Sequence, residues 1–506
     1  MFFSLRSLIQ CKSLKSIFMF YKLFLTIPFA SVCTAGMSQT NEKHNIVYVL
    51  LDDLAYDAIE STNRYPFLKT PNIDRLQSEG ITFDNFFCTM ALSSPSRSCM
   101  LTGMYPHKHG VTQNDSRVDA NWEKYPPYSS YLQKAGYETA FIGKMHQAAL
   151  WDKDQVRPGF DYWLGFRHQG DYFKNTLNEN GKEFYKEGYI TDVLTDYAIN
   201  WLTKKRDKNK PFSLCLWHKA VHEPYTAAPR HFGCYQKESL PLPPNGNGVE
   251  RFEGKPEWQK YKKTFYKIGE NDPEWNPEYA TPKKILETLL AVDESIGSVL
   301  NTLEKMDELE NTIVVFSSDN GYFMGEHGFW DKRISYDECM RIPLIMRLPN
   351  KLGAGKHIKQ MCLNIDIAPT MMDIAGVQIP DYVQGKSMMS LLEGKNADWR
   401  KSFLFEYYVD DAYPYAGPTQ VAVRTEKYKL VDCFLDNDID ELYDLEKDPG
   451  EMINLINNPE YGSIQKELRQ ELKKLMEETE YNPDRDFWLR IQAPIWEAKY
   501  KDKKKH

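Results

Sequence analysis

The sequence predicts an α/β protein: a large mixed, mostly parallel sheet flanked by helices, followed by a smaller C-terminal antiparallel sheet plus helix. Three observations predict it. Apolar, β-branched runs without polar alternation occur at 46–51 (IVYVLL), 139–142, 212–217 and 312–316 (TIVVF). Strands buried on both faces read this way, and parallel sheets bury both faces. Helical patterns accompany them at 72–78, 128–135, 191–204 and 283–306, and alternating strands and helices imply a doubly wound sheet. Beyond 391–394 the texture changes to short strand candidates at 403–409, 421–424, 428–431 and 441–444, closed by a charged amphipathic helix at 463–478. That is the pattern of a small antiparallel sheet with a covering helix.

Taken in chain order, the first element is a targeting segment. Residues 20–32 are largely apolar with Lys22 the single charge, Lys12 and Lys15 precede them, and the small residues Thr34, Ala35 and Gly36 follow. The run is too short to span a bilayer, so it reads as a signal peptide covering 1–35, with Met19 an alternative start. Lipidation at Cys33 is the alternative, although Val32 before it fits a lipobox poorly. The expectation is an exported protein, periplasmic or secreted, that is not integral to a membrane. A large α/β domain is expected over 40–395 and an α+β subdomain over 396–506. Within the former, 223–282 is rich in Pro, Gly, Trp and Lys and shows no period. It reads as a long surface excursion lining the substrate region. The lysine-rich end, 499–505, reads as a solvated tail.

Composition excludes several functions. A net charge of −8 over 506 residues offers no general basic face for nucleic acid. An anionic substrate must therefore be attracted by a few local cations. Of nine cysteines, removing Cys11 and Cys33 with the leader leaves seven, and none forms a CxxC pair. Buried free thiols are expected rather than a zinc site or a disulfide framework.

Ligands of open α/β folds bind beyond the carboxyl ends of the strands. After 46–51 come Asp52 and Asp53; after 139–142, Lys144 and His146; after 212–217, His218 and His222; after 312–316, Asp319 and Asn320, then Glu326, His327 and Lys332. Adjacent carboxylates repel and need a cation or a raised pKa. Oxygen donors without cysteine or paired histidine favour a hard ion, calcium or magnesium. Between the first two strand ends lies Ala91-Leu-Ser-Ser-Pro-Ser-Arg-Ser-Cys-Met-Leu-Thr-Gly103. Pro95 suits a first helical turn and Ser94 a cap, which places Ser93 at the helix N-terminus, where the dipole favours negative charge.

This string resembles the motif of the formylglycine-dependent sulfatases of the alkaline-phosphatase superfamily: Cys or Ser, any residue, Pro, Ser, Arg, later Thr-Gly. It is matched by Ser93, Pro95, Ser96, Arg97, Thr102 and Gly103. Asn72-Ile-Asp-Arg-Leu, Gly143-Lys-Met-His, His222-Glu-Pro, Ser318-Asp-Asn-Gly, Gly325-Glu-His-Gly and Glu441-Leu-Tyr-Asp-Leu with Asp448-Pro449 follow in the family's order. The resemblance implies an alkaline-phosphatase-like fold and hydrolysis of sulfate esters. It also implies 3-oxoalanine (formylglycine) at Ser93, made by a radical-type maturing enzyme because the precursor is Ser and not Cys. One calcium would be held by Asp52, Asp53, Asp319 and Asn320, with converted Ser93 touching it. Arg97 would steady the formylglycine, and Lys144, His146, His222 and Lys332 would bind sulfate and move protons. His327 and Arg333 join them as substrate-binding candidates. In the family's mechanism the aldehyde hydrates to a geminal diol that attacks sulfur. His222 or Lys332 then protonates the leaving alcohol, and His146 assists release of sulfate. The family usually carries Pro-His where this chain has Val221-His222, so His218 is a rival for the same role. The expected substrate is a sulfated carbohydrate, glycosaminoglycan or algal glycan such as ulvan, on a resemblance of 328–333 and 337–343 to N-acetylglucosamine-6-sulfatases. The rivals are a phosphodiester or phosphonate hydrolase on the same fold and a non-catalytic glycan binder. A serine esterase lacks its Gly-x-Ser-x-Gly elbow here.

Overall fold

The computed structural model describes residues 43–114, 121–146, 156–243, 245, 252–261, 281–395, 398–409, 417–434, 438–482 and 484. The expected signal segment, the 499–505 tail and parts of the 223–282 excursion lie outside the described residues.

The strands of the main sheet, in chain order, are β1 (Asn45–Leu51), β2 (Ile81–Phe83), β3 (Glu138–Gly143), β4 (Tyr162–Gly165), β5 (Lys174–Glu179), β6 (Lys182–Glu187), β7 (Phe212–Trp217), β8 (Thr312–Ser318), β9 (Leu344–Arg347) and β10 (Lys356–Ile358). They lie in the order β10-β2-β9-β8-β1-β7-β3-β4-β5-β6. β1 is central and parallel to both neighbours, in registers that set Leu50 opposite Trp217 and Leu51 opposite Ser318. β3 pairs parallel with β7 and with β4. β9 breaks the parallel run between β8 and β2, and the hairpin β5–β6 adds two antiparallel strands at the other edge.

The four expected strands are thus the core of the sheet. Alternation along β1 explains why no polar period is visible. Ile46, Tyr48 and Leu50 enter one core layer with Met100, Phe141 and Trp217. Val47, Val49 and Leu51 enter the other with Ile285, Leu289 and Val292. The helices of those layers are α1 (Pro71–Glu79), α2 (Ser93–Thr102), α3 (Tyr128–Lys134), α4 (Ile190–Asn200) and α5 (Thr281–Lys305). α2 is buried along all 10 of its residues.

Ser94 is not the cap of α2. The helix begins at Ser93, its N-cap is Leu92, and no side chain caps it. The Ser94 hydroxyl instead donates to the His146 carbonyl, and its N–H is taken by Asn114 Oδ1 at 2.9 Å. Tertiary partners replace the local cap because the helix start is enclosed.

The second sheet runs β11 (Ser402–Tyr407), β12 (Gln420–Thr425), β13 (Tyr428–Cys433) and β14 (Glu441–Asp444), antiparallel throughout. The final helix, α6 (Gly462–Glu478), buries Leu468, Leu472 and Leu475, spaced one helical turn apart. The seven described cysteines are all free, and Cys234 alone among them is exposed. Among the described residues no helix is long and apolar enough to cross a membrane.

Candidate active site

Adjacent parallel strands bring their C-terminal ends side by side, so β1 and β8 deliver Asp52, Asp53, Asp319 and Asn320 together. Asp53 sits at φ 65, a left-handed conformation a non-glycine residue holds only when its surroundings fix it. They do: Asp53 N donates to Asp319 Oδ1 at 3.1 Å and Asn320 Nδ2 donates to Asp53 Oδ1 at 2.8 Å. One ligand atom each from Asp52, Asp53 and His222 lie within 4.8 Å of one another, all buried.

α2 points its N-terminus at these carboxylates. Ser93 Oγ donates to Asp52 Oδ1 at 3.0 Å and lies 3.4 Å from Lys332 Nζ. One turn on, Arg97 spans three strand ends while wholly buried. Its Nε donates to Asp319 Oδ2 at 2.9 Å, its Nη1 to the Lys144 carbonyl at 2.6 Å, and its Nη2 stands 3.7 Å from Asp52 Oδ2. The guanidinium lies over the Trp217 ring.

Lys144 pairs with Asp52, and Lys332 with Asp53. His222 Nε2 is 3.6 Å from Asp53 Oδ2, and its Nδ1 faces the Glu223 carbonyl at 3.0 Å. His146 follows β3 at φ 57. Of the predicted strand-end residues, Asp52, Asp53, Lys144, His146, His222, Asp319, Asn320 and Lys332 thus converge, with Ser93 completing the cluster.

The electrostatics follow from burial and crowding. Burial pushes the Asp52 carboxyl up, but Lys144, His222 and Arg97 outweigh it and hold it well below the usual range. Burial, with the Asp52 charge beside it, pushes Asp319 up to about 6. Burial lowers Lys144 to about 8 against the pull of Asp52. Lys332 is held above its ordinary value, because Asp53, Asp52 and Asp319 overcome the burial that would lower it. Burial, then Lys144, brings His222 down to about 4, and both also hold His146 well below its usual value. The imidazoles are therefore neutral near pH 7 beside cationic lysines. Such a rim binds an anion and can accept a proton.

Three candidates stand elsewhere. His218 is fully buried against α5, its Nε2 3.2 Å from Ser295 Oγ. It is a core histidine and not a rival of His222. His327 packs on the Tyr336 ring at 4.2 Å, 3.6 Å from Glu338 Oε1 and 3.2 Å from Asn245 Nδ2. It is not brought to the cluster. Arg333 follows Lys332 but turns its guanidinium to Asp331.

Sequence reasoning passed over two residues. Lys219, buried between His218 and His222, donates to the Glu223 carbonyl at 3.0 Å. Gln169, beyond the end of β4, accepts from Lys144 and reaches His146. The strand-end rule applied to 162–165 finds Gln169; that strand was missed because it is short and aromatic.

The sheet order and the site at its strand ends define an alkaline-phosphatase-like enzyme. Residues 44–377 match the sulfatase family model, and 325–478 match the model of the N-sulphoglucosamine sulphohydrolase C-terminal region. The chain belongs to the sulfatase family, whose members hydrolyse sulfate esters. It is 36% identical to an N-acetylglucosamine-6-O-sulfatase of Bacteroides thetaiotaomicron, covering 90% of each chain. It is 28% identical to an ulvan-active sulfatase of Formosa agariphila, covering 91% of this chain and 86% of that one. A structure solved in complex with its substrate D-glucosamine-2-N,6-O-disulfate superposes with a TM-score of 0.77 at 35% identity, covering 88% of this chain and 99% of the other.

Proposed function

We propose that this chain hydrolyses a sulfate ester on a carbohydrate, using formylglycine formed from Ser93 and one calcium ion held by Asp52, Asp53, Asp319 and Asn320. The observation that carries this reading is the setting of Ser93. Its hydrogen-bond partners are a carboxylate and an ammonium, so it is not the imidazole-activated hydroxyl of a serine hydrolase. Conversion to an aldehyde, hydrated by water, supplies the nucleophilic hydroxyl that a bare serine lacks.

The donor set suits calcium. It is all oxygen, and Asn320 Oδ1 is a buried acceptor with no hydrogen-bond partner among the described residues. A bound calcium supplies charge neutralisation and Lewis-acid polarisation. Lys144 and Lys332 then attract the sulfate oxygens, and Arg97 holds Asp319 and reaches Asp52, the carboxylate on which Lys144 rests. His222 and Lys332 flank Asp53 and are the candidates to protonate the leaving alcohol, while neutral His146 is suited to take a proton.

The carbohydrate class is supported by what the relatives are named for, a 6-O-sulfated glucosamine foremost. The lysine-flanked apolar segment at 12–32, read as a signal peptide over 1–35, supports export, and the serine precursor supports a radical-type maturing enzyme as partner. The test is twofold: peptide mass spectrometry at Ser93 in protein from its own host, and sulfate release from defined sulfated sugars. Active enzyme with unaltered serine refutes the chemistry. Efficient turnover of nitrophenyl sulfate with none on glycosaminoglycan or algal oligosaccharides refutes the substrate class.

A further inference from the structure

We propose that Gln169 is a positioning residue of this reaction, holding Lys144 and His146 in one relative orientation from the loop 166–173; the inference rests on the sulfatase reading above. Gln169 Oε1 accepts from Lys144 Nζ, and Gln169 Nε2 lies 3.4 Å from His146 Nε2. An ammonium only donates, so the amide turns its oxygen to Lys144 and its NH2 group to the imidazole. His146 Nε2 is thereby left as the lone-pair nitrogen, and the ring proton falls on Nδ1. One amide thus links the residue that faces the sulfate charge to the residue that takes a proton.

The loop is built to hold that amide still. It leaves β4 at Gly165 and turns tightly, with Gly170 N donating to the Arg167 carbonyl at 3.1 Å. Gly170 sits at φ 64, and a Cβ there would meet the Phe166 ring at 2.5 Å. Asp171 Oδ1 then accepts from Phe173 N at 2.9 Å and Lys174 N at 3.1 Å. The same loop reaches the opposite side of the site: Tyr172 OH donates to the His222 carbonyl at 2.7 Å, and Lys219 lies over the Tyr172 ring. Gln169 and Tyr172 therefore brace three residues of the proposed reaction set from one short segment.

The experiment compares Gln169→Ala and Gln169→Met with wild type in matured full-length protein. Methionine fills the same space without either hydrogen bond. A packing role predicts that Gln169→Met restores what Gln169→Ala loses. A positioning role predicts that both lose about 10-fold or more in kcat/KM, mostly in kcat, the scale of hydrogen bonds to charged groups. Probes are N-acetylglucosamine-6-O-sulfate and 4-nitrophenyl sulfate. A wild type inactive on the sugar but active on the aryl ester sinks the substrate reading while leaving the comparison intact. Wild-type kinetics in Gln169→Met, with an unchanged melting temperature, overturns the inference.

Discussion

Ser93 Oγ and Asp52 Oδ1, 41 positions apart in sequence, lie 3.0 Å from each other where α2 meets the end of β1. This contact joins the helix that presents Ser93 to the strand that presents Asp52 and Asp53. Ser93→Ala removes a hydroxyl at a wholly buried site and little else. It is expected to abolish sulfate-ester hydrolysis while leaving circular dichroism and melting temperature near those of wild type. Measurable turnover in purified Ser93→Ala would falsify Ser93 as the nucleophile precursor.

Removal of divalent cations is expected to lower both activity and the unfolding midpoint, with calcium restoring both. A ligand bound only by the native state stabilises by about 2.7 kcal/mol at a concentration 100 times its Kd. Asp319→Ala is expected to lose bound calcium and activity together. Full metal content in that variant, measured by elemental analysis, speaks against the ligand set.

Lys144→Ala and His222→Ala are each expected to lose roughly 10²-fold or more in turnover, the scale of a charge-stabilising or proton-transferring group. Lys144→Ala also leaves Asp52 buried with one fewer cation, which costs stability as well. Wild-type rates in either folded variant remove that residue from the reaction.

Gly143→Ala is expected to be severe although glycine carries no chemistry. Gly143 sits at φ 127, and a Cβ there would lie 1.8 Å from the Trp217 carbonyl oxygen, which already accepts from Lys144 N. The end of β3 must move, and Lys144 with it. A loss of more than about 2 kcal/mol is expected, as for other forced backbone shifts. An unchanged denaturation midpoint contradicts it.

His107 gives the chain a pH-dependent stability. Burial opposes its protonation, but the Glu406 carboxylate 3.0 Å away outweighs this and holds the imidazole above its ordinary value. Its Nε2 also faces the Thr479 carbonyl at 2.8 Å, just past α6. Because the folded value exceeds the unfolded one of about 6.5, the contribution is complete below that pH. It is lost as pH rises through the folded value. Unfolding midpoints measured from pH 5.5 upward are expected to show this loss in wild type and not in His107→Gln; parallel curves contradict it.

Much of the site was legible because strand ends are marked by composition. A run such as IVYVLL ends abruptly in two aspartates, and the topology does the rest. β6 was not legible: its KEFYKE sequence is mostly exposed and carries no apolar signal. β9 and β2 are mostly apolar, but at four and three residues they are too short to read as strands. His327 and Ser94 were misplaced for a common reason. Their motifs mark the right neighbourhood, but which way a side chain faces depends on partners outside the motif: Tyr336, Glu338 and the distant Asn245 for one, and the His146 carbonyl for the other.

The enclosure of α2 has a consequence for biosynthesis. Ser93 is completely shielded from solvent, beneath Lys332 and the strand ends. A macromolecular catalyst acting on this side chain has no access to it in the finished fold. On the proposed chemistry, conversion of Ser93 has to precede closure, on a nascent or still-unfolded chain. Folding rate and modification rate then compete, and a polypeptide that folds first is trapped as a native-looking, inert product. On that reading, the yield of working enzyme is set by timing as much as by stability.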